Sequence, residues 1–420
     1  MRNVISGIFN IADLRKKFLF TLGMVILFRL GAHIPVAGID TLKLQNLFKQ
    51  GNILGFIDLF TGGAMMRFSV FAMGIVPYIN ASIIMQLLTV VIPQLEELQK
   101  EGEAGRKQIA NYTRYLTVAL AAFQAFGMAF WLRGTMLEGY NFMFFLMGTV
   151  VSLTAGSTLV MWFSELITEK GIGNGASLLI FVGIVSRIPS YAAQTYTLVK
   201  GGASIVGVII LVLAFLLMIV AIVAVQEAQR RIQVQYAKRI IGRKMYGGQS
   251  TYIPLRINQG GVIPIIFASS VLLFPATIAQ FVPNPVVQTI VGWFSPSGGL
   301  YMIFYFALIF FFTYFYTAIT FNPTELAENI KKYGGFIMGI RPGKPTAQYL
   351  EFTITRITLV GATFLATIAV VPTIVEGLTH ITSFQGLGST ALLIVVGVAL
   401  DLVRQIETHL VTRQYEGLLA

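Results

Sequence analysis

An unbroken apolar run, SIVGVIILVLAFLLMIVAIVAVQ, occupies residues 204–226. A helix needs about 20 apolar residues to cross the hydrocarbon core of a bilayer, which is about 30 Å thick. The run therefore predicts a transmembrane helix. Comparable runs recur along the chain of 420 residues, which is 55% hydrophobic and 11% charged and has a mean hydropathy of +0.75. This repetition indicates a bundle of membrane spans rather than a single anchor.

We predict ten transmembrane helices from these runs. They lie at about 16–36, 69–92, 115–133, 143–164, 175–188, 204–226, 261–282, 300–321, 353–372 and 388–403. When the basic cluster before the first span is placed inside, 23 of the 30 Lys and Arg residues fall on inner segments and 6 on outer segments. This distribution follows the positive-inside rule. Because the number of spans is even, it predicts that both termini lie in the cytoplasm.

The composition and the positions of ionisable residues exclude several functions. The chain has no cysteine, so disulfides, thiolate catalysis and cysteine-ligated metals are excluded. Ion-coupled transporters usually keep carboxylates or histidines at mid-membrane. Here the first span carries Arg29 and His33 near its outer end, and Glu165, Arg187 and Asp401 lie only at span ends. This scarcity argues against a small-solute secondary transporter, which remains the alternative function.

Two sequence motifs resemble enzyme motifs but lie in the wrong context. Residues 171–176 (GIGNGA) match a dinucleotide-binding fingerprint, yet they follow a membrane span and not a strand. Ser177 and Ser204 each follow a Gly-Ala pair, which makes them candidate intramembrane serine nucleophiles. The three histidines lie at span ends or in loops, however, so neither serine has an evident general base. An intramembrane hydrolase is therefore disfavoured. We predict no enzymatic activity, no metal site and no cofactor.

Two segments depart from a plain helical bundle. Residues 53–66 are apolar but too short and too glycine-rich to cross the membrane, which favours a re-entrant half-helix. A helix lying on the outer surface is the alternative interpretation. The fifth span is short and begins after the glycine-rich residues 171–175, as segments that line a cavity often do. A tight turn between two ordinary spans explains the same glycines.

The third departure from a plain helical bundle is a pair of large inner loops, at about 227–260 and 322–352. In the first loop Glu227 is the only acid among seven basic residues, which are Arg230, Arg231, Lys238, Arg239, Arg243, Lys244 and Arg256. Such a field attracts anionic lipid, RNA or an acidic protein face. The alternative interpretation is that these charges only determine the orientation of the spans. The length of the loop favours a docking surface, because orientation alone does not require some thirty residues.

Several stretches of this sequence resemble the SecY family, in the family's order and over essentially the whole chain. They are residues 71–88 (FAMGIVPYINASIIMQLL), 161–175 (MWFSELITEKGIGNG), 229–232 (QRRI) with 236–239 (YAKR), 261–264 (GVIP) with 267–270 (FASS), and 339–343 (GIRPG). The resemblance implies an all-α polytopic membrane protein with ten transmembrane helices in two pseudo-symmetric five-helix halves around a central pore. The halves would be residues 1–190 and 191–420, with a re-entrant plug half-helix at about 53–67.

The resemblance also implies a function. Proteins of this family form a protein-conducting channel, which moves unfolded secretory polypeptides across the cytoplasmic (inner) membrane and releases membrane-protein spans through a lateral gate. A ring of side chains would close the pore, at Ile75, Ile79, Ala176, Ile180, Ile266 and Ile394. Ala176 is smaller than the aliphatic residue expected there. Without the resemblance, the isoleucines are explained equally well as core or lipid-facing residues.

Further positions follow from the same resemblance. The lateral gate would use Asn80, Gln86 and Asn258, although uncharged polar residues in spans usually only hydrogen-bond neighbouring helices. The plug would include Ile53, Phe56, Ile57, Leu59, Phe60, Gly62 and Gly63. The basic loop residues, together with Arg341, would dock partners. The implied partners are the membrane subunits SecE and SecG, the SecA motor ATPase, the ribosome, signal peptides with their nascent chains, and anionic lipid.

Overall fold

The computed structural model describes residues 11–44, 58, 61–202, 204–236, 239–241, 244–246, 250–279, 299–379 and 389–419. Most of these residues are helical. The helices are α1 (Ala12–Gly31), α2 (Val76–Val91), α3 (Pro93–Lys100), α4 (Glu103–Trp131), α5 (Phe142–Lys170), α6 (Gly175–Val185), α7 (Ile188–Lys200), α8 (Ile205–Glu227), α9 (Ile263–Ala279), α10 (Gly299–Thr320), α11 (Pro323–Lys332), α12 (Lys344–Thr379) and α13 (Ser389–Leu419). The strands are β1 (Gln229–Tyr236), β2 (Arg239–Ile241), β3 (Lys244–Tyr246), β4 (Ser250–Arg256) and β5 (Gly335–Ile337).

Helix α8 shows how the apolar runs become spans. Ser204 caps its N-terminus by accepting a hydrogen bond from the backbone N–H of Gly207 at 3.4 Å. Its apolar side chains point in all directions, and only 17% of its most apolar stretch is buried inside the protein. Leu213, Leu217 and Val220 are about two-thirds exposed. A helix that is apolar on every face and exposed on most of them is stable only in lipid.

All ten predicted spans fall on helices in the part of the chain that the structure describes. Six helical stretches there are long and apolar enough to cross a membrane, and a seventh joins them when α2 and α3 are counted as one span bent by 98°. The remaining predicted spans coincide with α1, α9 and α13. The protein is therefore a multi-pass helical membrane protein, and the count of ten agrees with these helices.

The second span begins later than its sequence predicts. We expected it from about residue 69, but residues 69–75 form turns, and α2 begins only at Val76. Gly74 adopts φ +55°, a conformation that favours glycine and ends the preceding turn. Pro77 lies in the first turn of the helix, where its missing N–H is tolerated. At its other end α2 stops before Pro93, where α3 turns away.

Although most of the described residues are helical, the predicted inner loops contain five short β-strands. β1 pairs antiparallel with β4 and with β5, in the order β4-β1-β5, and β2 pairs with β3. Along β1, Ile232 and Val234 alternate with polar residues, and both are buried. This period of two is the pattern of a half-buried strand. The sequence contains this signal, although residues 227–260 were predicted only as a large inner loop.

The sheet unites the two basic loops into one structural unit, because β1 and β4 belong to the first loop and β5 to the second. Val234 lies opposite Ile337 in the register. Beneath the sheet, a separate hydrophobic core includes Ile232, Val234, Leu255, Ile330, Ile337 and Leu350. The core also joins the sheet to α11 and α12, so the two loops form one folded unit, which we call the platform.

The helices of the first half of the chain, α1 to α6, meet helices α8 to α13 of the second half at few places. Among the described residues, two helix pairs make the extensive contacts between them: α2 packs on α9, and α6 packs on α13. A smaller apolar cluster joins Leu14 and Ile172 to Leu402 and Ile406 of α13. Within each half the helices pack on several neighbours.

Gly156 of α5 provides a test of the packing inside the first half. A Cβ atom added to this glycine would overlap the carbonyl oxygen of Val70, in the turns before α2. We expect Gly156→Ala to destabilise the protein by about 1–3 kcal/mol, the usual effect of overpacking. The measurement is thermal unfolding in detergent.

Gly148→Ala is the matched control, because Gly148 lies on the same helix with no atom near its added Cβ. Equal melting temperatures for the two variants would contradict the close approach of α5 to residue 70.

Candidate functional site

Five isoleucines from four helices converge in one buried hydrophobic cluster. Ile75 precedes α2 and Ile79 lies one turn into it, while Ile180, Ile266 and Ile394 come from α6, α9 and α13. Each of the five is at most 5% exposed. This core is large and extends through most of the described helices. Of the five isoleucines, Ile79, Ile180 and Ile266 also line one cavity.

Ala176 lies one turn before Ile180 on α6 and is only half-buried. It packs against the same hydrophobic cluster as the isoleucines. A methyl side chain is smaller than the branched side chain expected at this position. Ala176 therefore has the smallest side chain among the predicted ring residues.

A cavity of about 390 Å³ is lined by four of the predicted ring residues. Its apolar wall contains Ile79, Ala176, Ile180 and Ile266, together with Ile263 and Phe267. Its polar wall is formed by Tyr78, Ser82, Gln86, Arg114, Ser164, Glu165, Thr168, Glu169, Asn174 and Ser177. We call this cavity, which is lined by both polar and apolar side chains, the vestibule.

The glycine-rich run before α6 shapes the wall of the vestibule. Asn174 caps α6 by accepting a hydrogen bond from the backbone N–H of Ser177 at 3.1 Å. A side chain at Gly175 would overlap the backbone of Ser164 on α5. The run therefore serves close helix packing and helix capping, which explains its resemblance to a dinucleotide-binding fingerprint without any nucleotide.

An ion pair in the vestibule wall is a feature that the sequence analysis missed. Nε of Arg114 on α4 donates to Oε1 of Glu165 on α5 at 2.8 Å. Both residues were placed at span ends or in inner loops, with no indication that they meet. Only the packing of α4 on α5 brings them together. The pair places a fixed dipole at the entrance of the vestibule.

The three predicted gate residues lie in two different places. Gln86 lines the vestibule and donates to Oγ of Ser82 at 3.3 Å, and Asn80 is half-buried on the same helix, α2. Asn258 lies before α9, where its Nδ2 donates to the carbonyl oxygen of Gly261 at 2.8 Å. It borders a second cavity of about 190 Å³, which Arg404 of α13 also lines. The helices of the predicted gate, α2 and α9, pack directly on each other.

The predicted plug is only partly within the described residues. Ile53, Phe56, Ile57, Leu59 and Phe60 lie outside them. Gly62 and Gly63 are buried, and both adopt positive φ, +65° and +90°. Nη1 of Arg29 donates to the carbonyl oxygen of Gly62 at 3.0 Å. The described end of the plug segment is therefore anchored to the first span.

Basic residues of the predicted inner loops lie on the platform. Arg230, Arg231, Arg256 and Arg341 are all exposed. The backbone of Arg239 and Lys244 belongs to the β2–β3 hairpin, and Lys238 and Arg243 lie outside the described residues. Within the described part of the chain, no three His, Asp or Glu residues come together as metal ligands would. The platform therefore presents cations without an organised metal site.

Comparison with known proteins gives consistent matches. The family model described as SecY matches residues 69–403. The protein translocase subunit SecY of Synechococcus elongatus is 48% identical over 97% of this chain and 95% of its own length. The subunit of the same name from Thermotoga maritima is 46% identical over 100% of this chain and 98% of its own.

Solved structures resemble this fold at low sequence identity. A structure described as that of a protein conducting channel has a TM-score of 0.66, with 17% identity over 94% of this chain and 92% of the other. Sec61 in the canine ribosome-channel complex from the endoplasmic reticulum has a TM-score of 0.62, with 15% identity over the same shares of the two chains. At these identities the likeness concerns the fold.

Proposed function

The chain belongs to the SecY family, and from this membership we propose that it is a channel for unfolded secretory polypeptides, which also releases membrane-protein spans sideways into lipid. The observation that carries the proposal is a cavity lined by polar side chains and by four of the predicted ring residues. A small-solute transporter is not favoured, because relatives matching nearly the whole chain are named as protein translocase subunits.

We propose that Ile75, Ile79, Ala176, Ile180, Ile266 and Ile394 form the pore ring. A constriction of branched apolar side chains sheds water, so an ion passing through it meets a dehydration barrier. The same side chains offer no hydrogen bonds that would retain a sliding polypeptide. The burial of the five isoleucines and their origin on four helices support this assignment.

We propose that α2 and α9 part as the lateral gate, with Asn80, Gln86 and Asn258 as its polar positions. The two halves, residues 1–190 and 191–420, would then move apart around the ring. Their limited contacts, along α2 with α9 and α6 with α13, support this division. A nascent Leu, Ile or Phe gains roughly 0.3–0.6 kcal/mol by leaving the pore for the membrane centre. Partitioning of this kind needs no catalytic group, and we propose none.

We propose that residues 53–67 form a plug that blocks the outer side of the ring at rest. The bond from Arg29 to Gly62 supports a docked resting position for this segment. Gly62 and Gly63 adopt positive φ values, which favour glycine and allow the chain to turn tightly there. The plug would leave this position when a polypeptide enters.

The platform supports a set of partners. We propose that Arg230, Arg231, Arg256 and Arg341, together with Lys238, Arg239, Arg243 and Lys244, dock the ribosome through its RNA and the SecA motor through an acidic face. The described solved structure of Sec61 with a ribosome is consistent with such docking. SecE and SecG are the proposed membrane partners, signal peptides and nascent chains the proposed cargo, and anionic lipid the proposed surface contact.

We propose that the protein resides in the cytoplasmic membrane with both termini in the cytoplasm. The folded platform carries seven of the basic residues between α8 and α9, on the side that the positive-inside rule assigns to the cytoplasm. The C-terminal helix α13 continues beyond the predicted end of the last span and carries Arg404 and Arg413 on the same side.

The first test is cysteine crosslinking, which the natural absence of cysteine simplifies. Single cysteines at Ile79, Ile180, Ile266 and Ile394 should each crosslink to a secretory chain stalled during translocation, because a chain in the ring touches all four helices. Leu216 of α8, which is exposed to lipid, is the control position. Delivery of the chain to the membrane without crosslinks at the ring would refute the pore and reopen the transporter hypothesis.

The second test concerns the ion seal. Ile79→Asn should raise the resting ion conductance of the channel by about tenfold or more, because an amide in the ring holds water where isoleucine sheds it. The measurement is single-channel or vesicle conductance without polypeptide.

Val90→Asn is its control, since Val90 lies on the same helix and is 55% exposed. Equal conductance in the two variants would remove Ile79 from the ring.

The third test concerns docking. Arg230→Glu with Arg231→Glu should weaken ribosome binding by about tenfold at low salt, and the difference should shrink as salt screens the charges. Lys43→Glu is the control, because Lys43 is a half-exposed cation in the predicted outer loop. Unchanged binding at low salt would place the docking surface elsewhere.

A further inference from the structure

A buried carboxylate lies in the middle of the plug segment. Asp58 is only 1% exposed. Its Oδ1 accepts a hydrogen bond from the backbone N–H of Met66 at 2.9 Å, and the hydroxyl of Thr61 lies 3.5 Å from the same oxygen. Burying an ionised carboxylate is unfavourable unless charges and hydrogen bonds compensate it. The sequence analysis gave this residue no role.

The compensating charge comes from another helix. Nη1 of Arg187 lies 2.6 Å from Oδ2 of Asp58, as an ion pair whose angle falls outside hydrogen-bond geometry. Arg187 connects α6 to α7, and its side chain is 18% exposed. Its guanidinium also lies over the ring of Tyr191, 5.6 Å from the centroid. The cation is thus held in place independently of the plug segment.

The neighbouring contacts hold the plug segment to the same helix. A side chain at Gly62 would meet the backbone of Gly183 on α6, and one at Gly63 would meet the guanidinium of Arg187. Arg29 reaches the carbonyl oxygen of Gly62 from the first span. The segment therefore lies close against α6, the helix that also supplies Ile180 to the proposed ring.

Asp58 supplies a negative charge to a segment that is surrounded by arginines. Three arginines, Arg29, Arg67 and Arg187, interact electrostatically around this segment. Asp58 is the carboxylate that pairs with Arg187 among them. If Asp58 is neutral or moves away, the arginines repel one another and Arg187 loses its partner. Removing one member of a buried pair leaves the other charge uncompensated, which is strongly unfavourable.

We propose that Asp58 and Arg187 form the latch that holds the plug closed. The plug can leave the pore only when this ion pair breaks, so the pair sets the equilibrium between the closed and open channel. The inference rests on the proposed function, because it takes residues 53–67 as the plug. It adds the residues that retain the plug and their partner on α6, which is the helix carrying part of the ring.

The test uses the full chain reconstituted in vesicles with its membrane partners. Asp58→Asn and Arg187→Gln should each raise the resting ion conductance by about tenfold or more, because each leaves one charge unpaired. The double variant should conduct less than either single variant, since it leaves no unpaired charge at the pair. Additive effects of the two substitutions, or wild-type conductance in both single variants, would overturn the latch.

The control is an exposed ion pair of similar length. Nζ of Lys43 lies 3.2 Å from Oε1 of Glu138, and Lys43→Gln and Glu138→Gln should leave the conductance unchanged. An equal increase in these controls would mean that the Asp58 effect is not specific to the plug.

A second variant replaces both members of the pair at once, so neither charge is left unpaired during folding. Cysteines at 58 and 187, joined by a short reducible crosslinker after folding, should block translocation until reductant is added. Normal translocation through the crosslinked channel would overturn the latch. Crosslinking of a stalled chain to the ring residues in the wild-type protein is measured in parallel. If that signal is absent, the channel function itself fails; if it is present and the locked channel still translocates, only the latch fails.

Discussion

Hydrocarbon offers no hydrogen-bond partners to a protein backbone, and the rest of this structure depends on that constraint. Each span must satisfy its own N–H and C=O groups, so the chain crosses as helices and keeps its irregular backbone where protein surrounds it. The turns at residues 69–75 illustrate the rule, because Phe71, Ala72 and Met73 there are all buried. The helical packing that results places α2 against α9 and α6 against α13, and these four helices carry residues of the proposed pore ring.

Much of the fold was predictable because long apolar runs need little context to be interpreted. All ten predicted spans coincide with helices, and the predicted ring isoleucines share one buried cluster. The ring came from a resemblance, since an isoleucine in a span carries no signal that separates a pore from a core. The late start of α2 and the strands of the platform were missed, although Gly74, Pro77 and the alternation around Ile232 carried local signals for them.

The charged pairs were not predictable from one sequence. Arg114 and Glu165 are 51 residues apart, and only the packing of α4 on α5 makes them partners. Asp58 and Arg187 belong to a plug segment and to the end of a different helix, and each by itself resembles an ordinary loop charge. Ion pairs of this kind depend on which faces of helices meet. That information resides in the three-dimensional arrangement. Counting the charges in each loop therefore predicts the orientation of the spans, but not which charged residues pair with each other.

The order of the strands in the sheet determines when the platform can form during synthesis. β1 pairs with β4, which follows it closely in sequence, but it also pairs with β5, which the chain reaches only after α9 and α10. During synthesis, the hairpin of β1 and β4 emerges first, with the hydrophobic side of Val234 lacking its partner Ile337. Two further spans must enter the membrane before the third strand arrives. A newly made protein of this kind therefore completes its platform only late in its own biogenesis, after most of its predicted spans have been made.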